Sequence, residues 1–134
     1  MGVSFENSFD QKEKIKEMRT KLEKQVAVGI WLQFIGHFIE VLGLYELLQL
    51  NEDLISEGDV QIASGSFIGT IGHLLEAIAV SSQIFTNDKN QKLNEQKLAV
   101  TGDSLVSLGA AIEVSGGLEI LKEEETGHST RLVP

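Results

Sequence analysis

Cysteine is absent from the 134 residues, and the single proline is the last residue, Pro134. The first absence excludes disulfides and thiol chemistry and fits a reducing compartment. The second leaves the rest of the chain without the strongest helix breaker, so long uninterrupted helices are the default. Basic residues are also few: 11 Lys and Arg stand against 20 Asp and Glu, a formal net charge of −9. The deficit is uneven. Residues 1–25 carry six basic and five acidic side chains, whereas residues 26–134 carry five and fifteen. An acidic body repels phosphate, which argues against nucleic acid as a partner and disfavours anionic lipid.

Long charge-free runs are missing too. Two charge-free stretches, Val26–Ile39 and Gln61–Leu75, are fourteen and fifteen residues long, each followed by a glutamate and each containing a histidine. A membrane span needs about 20 apolar residues, so these runs read as helices buried in protein, and a membrane is disfavoured as a partner. The N-terminus is polar through Gln25, so no secretion signal is visible, and the expected location is the cytoplasm. Nucleophile–base pairings, phosphate loops and dinucleotide fingerprints are likewise not found, and an enzymatic role is not expected.

What the chain does have is a block that occurs three times with Gly-x6-Gly-x3-Glu in fixed register. The copies start at Gly29, Gly65 and Gly102, spaced 36 and 37 residues apart, and their glutamates are Glu40, Glu76 and Glu113. A period of this length is that of proteins built from one stacked supersecondary unit. Hydrophobic residues make up 42% of the chain, enough for one folded domain over residues 1–126. Leu132-Val133-Pro134 matches the start of a common thrombin-site linker and the residues before it read as cloning spacer. Residues 127–134 are therefore expected to be an appended tail, and His128 is not a candidate ligand.

Apolar spacing of three and four residues runs from Ile15 through the first copy, which predicts one helix over about residues 10–49, capped at Ser8 or Asp10. Turn-forming residues at 51–59 and 86–90 then delimit helices over about 60–85 and 90–123. Short connections imply neighbours that run in opposite directions. The expected fold is all-α, an elongated antiparallel bundle of three long helices built from three ~36-residue repeats.

Every glycine of the repeat falls on one stripe of its helix: Gly29, Gly36 and Gly43; Gly65 and Gly72; Gly102, Gly109 and Gly116. A glycine inside a helix costs ~1 kcal/mol relative to alanine, and eight of them cost as much as many domains are stable by. Close backbone approach between helices offsets such a cost, so the stripe is expected to be a packing seam. The first copy, Gly-Ile-Trp-Leu-Gln-Phe-Ile-Gly, resembles the Gly-x-Trp-(Ile/Leu)-Gln-Ala-(Ile/Leu)-Gly unit of a family of small repetitive helical proteins from spore-forming bacteria. The resemblance covers residues 26–121 and weakens in the later copies, where Trp31 is replaced by Phe67 and Ser104. It implies a bacterial helical protein and supplies no catalytic residue.

Two candidate sites remain. His37-x-x-Glu40 and His73-x-x-Glu76 place each pair on one side of a helix, and two such pairs on neighbouring helices are the sequence's one route to a divalent metal. The alternative is that each glutamate pairs with its own histidine or faces water. Helix one is also apolar over an arc too wide for two neighbours to cover. This predicts a homodimer with Trp31 or Phe34 near its interface. The leading expectation is a non-enzymatic, self-associating helical protein, ahead of a metal- or small-ligand-binding bundle and a peripheral membrane protein.

Overall fold

The computed structural model describes residues 2–50 and 52–127. It contains three α-helices, α1 (Gly2–Leu50), α2 (Glu57–Phe85) and α3 (Lys89–Glu125), with one short 3-10 turn at Glu52–Leu54. No strand occurs among the described residues. The tail expected over 127–134 lies, from His128 onward, outside them.

The first helix begins eight residues before the expected start. Neither Ser8 nor Asp10 caps it. The Asp10 carboxylate instead pairs along the helix with Lys14 at 3.6 Å, and nothing between Gly2 and Asp10 breaks the backbone ladder. At 1.5 Å per residue its 49 residues span about 73 Å, against about 43 Å for the 29 residues of α2. The second helix is started by a reciprocal cap. Ser56 Oγ accepts the Asp59 N–H at 3.1 Å while Asp59 Oδ2 accepts the Ser56 N–H at 2.9 Å. Asp88 caps α3, its carboxylate accepting the N–H groups of Asn90 and Gln91 at 2.7 and 3.3 Å.

The centre of the fold is α2, which packs on α1 by one face and on α3 by another, whereas α1 and α3 scarcely meet. Between α2 and α3 the contact is backbone on backbone. A methyl group added at Gly58, Gly65 or Gly72 would lie 2.7, 2.5 and 2.5 Å from the carbonyl oxygens of Gly116, Gly109 and Gly102. The reverse substitutions meet Gly58, Gly65 and Gly72 at 2.5–2.6 Å. Each glycine is therefore the space into which the facing helix fits, and the residue four positions later flanks it: Glu113 lies over Gly65 and Glu76 over Gly102.

The interior that results is small and polar. The buried apolar side chains are Ala27, Leu44, Ala77, Ala79 and Ile120; beside them lie Asp59, Ser66, Thr70, His73 and Thr86. The large apolar residues are outside. Leu32 and Ile39 are each 63% exposed, Phe67 56%, Leu108 52% and Val114 62%. In water this is inverted, since full burial of one such side chain is worth about 1.5–3 kcal/mol.

Candidate functional site

All three helices contribute to one polar cluster at the middle of the fold. Its hub is Ser66 on α2, fully buried, whose hydroxyl donates to Glu113 Oε1 of α3 at 3.1 Å and lies 3.4 Å from Glu40 Oε1 of α1. One hydroxyl proton serves one carboxylate at a time, so Ser66 links α1 and α3 through alternative bonds. One turn along α2, Thr70 Oγ1 donates to the Ser66 carbonyl at 2.8 Å. Glu113 reaches the cluster because it sits four residues after Gly109, on the side of α3 that faces α2, and Glu40 because it sits one turn after His37, which meets α2.

The two histidines meet next to this hub. The His37 and His73 rings stack across the α1–α2 contact, with centroids 4.6 Å apart and planes 29° from parallel. Each Nδ1 faces the glutamate three residues on, His73 to Glu76 at 3.2 Å and His37 to Glu40 at 3.3 Å. The first contact is a hydrogen bond; the second is close but poorly aligned, and it leaves His37 Nδ1 without a hydrogen-bond partner. The four residues proposed as metal ligands are thus brought into one neighbourhood, but in two separate His–Glu pairs. Stacked imidazoles direct their in-plane lone pairs side by side instead of toward a common point, and no group of three or more His, Asp or Glu side chains able to hold a metal ion occurs among the described residues.

Trp31 and Phe34 lie on the α2 side of α1. The Trp31 indole N–H donates to Ser81 Oγ at 2.9 Å, and its ring meets Phe34 edge-on at 5.9 Å between centroids. Trp31 thus ties α1 to α2, while the ring contacts of Phe34 are with Trp31 and, at 6.0 Å, Phe38 of its own helix. The glycine stripe divides in the same way. Gly65, Gly72, Gly102, Gly109 and Gly116 face another helix, but Gly29, Gly36 and Gly43 face open space. The helical wheel explains the difference: α1 turns Ile30, Phe34, His37, Val41 and Leu44 toward α2, and the glycines stand well around the helix from that line.

Sequence reasoning missed Gly58 and Ser66. Gly58 lies seven residues before Gly65 and so continues its stripe, a signal hidden by its place among turn-forming residues. Ser66 carried no signal, because nothing local marks a serine that will bridge two other helices. Replacing it tests the cluster: Ser66→Ala is expected to cost about 1–3 kcal/mol by leaving the carboxylates short of a donor. The check is the midpoint of thermal unfolding, with Ser64→Ala, on the exposed side of the same turn, unchanged. No family model, curated protein or solved structure matches this chain.

Proposed function

We propose that the chain is an integral membrane protein whose three helices cross the bilayer in alternating directions, and that its role is structural, presenting helix surfaces to lipid and to other helices. The observation that carries this reading is the inverted distribution of side chains: glycine, alanine, serine and histidine inside, leucine, isoleucine, phenylalanine and valine outside. Small residues at helix contacts, ionisable residues turned inward and large apolar residues turned outward are what a hydrocarbon solvent selects. All three helices are long and apolar enough to cross a membrane. Within the most apolar stretch of α1 only 6% of residues are buried, compared with 44% in α2.

The apolar segments have matching lengths. Residues 26–50 of α1 contain Glu40 and Glu46 as their only Asp, Glu, Lys or Arg; residues 60–85 of α2 contain Glu76; residues 98–118 of α3 contain Asp103 and Glu113. Three of these five charges belong to the central cluster, and Glu46 and Asp103 lie within two turns of a segment end. Twenty-five helical residues rise about 37 Å, enough for a hydrocarbon core of about 30 Å with some tilt. The only Trp and the only Tyr, Trp31 and Tyr45, lie inside the α1 segment, each five residues from one end, on the sides toward the two interfaces that amphipathic rings favour. The glycine pairs descend α3 as they ascend α2, which fits successive crossings joined by short turns.

Self-association is the second reading, favoured by the open stripe of Gly29, Gly36 and Gly43. Membrane fractionation separates the two. The bilayer reading expects the full chain to stay in the pellet after an alkaline carbonate wash and to enter solution only with detergent. Recovery in the soluble fraction, at the mass of two chains, would overturn it and leave a water-soluble dimer that covers the same apolar surface.

A further inference from the structure

Resting on the bilayer reading, we infer that a cleft at one end of the fold binds an anionic phospholipid, its phosphate at Lys92 and its acyl chain along α1 and α2. The cleft has a volume of about 660 Å³ and lies where the N-terminal half of α1 passes the end of α2 and the start of α3. Leu22 and Val26 of α1 face Val80 and Ile84 of α2 across it, an apolar wall suited to a hydrocarbon chain. Its polar lining is Arg19, Glu23, Gln83 and Lys92. Arg19 is already neutralised by Glu23, four residues on, at 2.9 Å. The Lys92 ammonium makes no ion pair with the described residues, so it is the uncommitted cation at the mouth, with the Gln83 amide as a neutral donor.

Charge placement selects the sign of the occupant and the leaflet. Nine of the eleven Lys and Arg lie in residues 1–25 and 86–97, at the end where the cleft opens. The opposite end, residues 44–59 and 117–125, holds one, Lys122, and nine Asp and Glu. Basic flanks stay on the cytoplasmic side, where acyl lipids with anionic headgroups are concentrated. The net charge of −9 argues against anionic lipid only when it is averaged over the chain. Divided by end, the cleft side sets its nine basic residues against seven acidic ones, Glu6, Asp10, Glu13, Glu17, Glu23, Asp88 and Glu95, a net of +2, whereas the net of −8 at the opposite end lies across the bilayer, well beyond the Debye length of about 8 Å.

The test uses full-length protein extracted in mild detergent and exchanged with equal amounts of phosphatidylglycerol and phosphatidylcholine, with retained lipid counted by native mass spectrometry. Wild type is expected to retain phosphatidylglycerol preferentially, and Lys92→Ala to retain about fivefold less, the factor that one lysine near an anionic surface is worth. Val80→Trp, which fills the apolar wall and leaves every charge in place, should lose the lipid as well, with helical content checked by circular dichroism. Lys21→Ala, at the same end but outside the cleft, and Lys122→Ala, at the other end, should match wild type. Excess inorganic phosphate should fail to displace the lipid; displacement would mean that the site reads a bare anion. Equal retention of the two lipids, or an equal loss in Lys21→Ala and Lys92→Ala, would overturn the site while the protein remains membrane-bound. Recovery of the chain in the carbonate supernatant would instead overturn the bilayer reading and this inference with it.

Discussion

Gly72→Ala is expected to destabilise the protein by about 2–4 kcal/mol, whereas Gly36→Ala is expected to stabilise it by up to ~1 kcal/mol. The two glycines occupy the same position of the repeat, so propensity alone predicts the same gain at both. Their surroundings differ. At Gly72 the new methyl group would lie 2.5 Å from the Gly102 carbonyl oxygen and 2.8 Å from the Val106 amide nitrogen. Both are backbone atoms of a continuous helix and neither can move aside by changing a rotamer, so the helices must separate along the whole seam. At Gly36 nothing lies within 4 Å. Gly69→Ala is the internal control. Gly69 is buried in the same seam, four residues after Gly65, but its own methyl direction is open. Unfolding of the variants in mild detergent, followed by circular dichroism against rising temperature or added sodium dodecyl sulfate, gives the order. Loss at Gly72, little change at Gly69 and a gain at Gly36 is the expected pattern. A gain at Gly72 would sink the seam.

The contrast between these glycines marks where the sequence was legible. Helical class and the places of the turns follow from the lack of proline and from the capping chemistry at Ser56 and Asp88, both local properties. The stripes of α2 and α3 were legible because a seven-residue glycine spacing on two helices joined by a short turn brings like to like. The α1 stripe looks the same in sequence and faces open space, because α1 docks through Phe34, His37 and Val41, and the choice between two faces of one helix is made by tertiary packing. Glutamate hid the apolar segments for a related reason. Counting residues between charges stops at Glu40 and Glu76, and the runs come out too short to span. Glu76 is paired to His73 and mostly covered, while Glu40, beside Ser66, keeps about half of its side chain exposed; on the bilayer reading each apolar segment continues past its glutamate. Only the fold shows on which side of the helix a charge sits.

On the bilayer reading, Ile39→Arg is expected to block insertion or to expel the protein from the bilayer, the second large effect. Ile39 is 63% exposed and lies at the middle of the α1 apolar segment, on the side away from α2. For a water-soluble monomer, arginine at such a site is close to neutral, within about 0.5 kcal/mol, and improves solubility. In hydrocarbon the same change costs about 2.5–3.5 kcal/mol on an insertion scale, and the side chain is too far from either interface to reach water without thinning the bilayer. Leu108→Arg, outward on α3 and 52% exposed, should act in the same way. Lys14→Ile, in the polar N-terminal part of α1, should leave insertion unchanged, because that part lies before the apolar segment. The measurement is the fraction of newly made chain that resists carbonate extraction. A fall in both arginine variants, with Lys14→Ile at the wild-type level, is the bilayer result. If both arginine variants stay folded, monomeric and freely soluble, the exposed apolar surface faces water, and the inverted interior needs another solvent-excluding partner. A second copy of the chain is then the candidate, since the open glycines of α1 offer it the same close approach that joins α2 to α3.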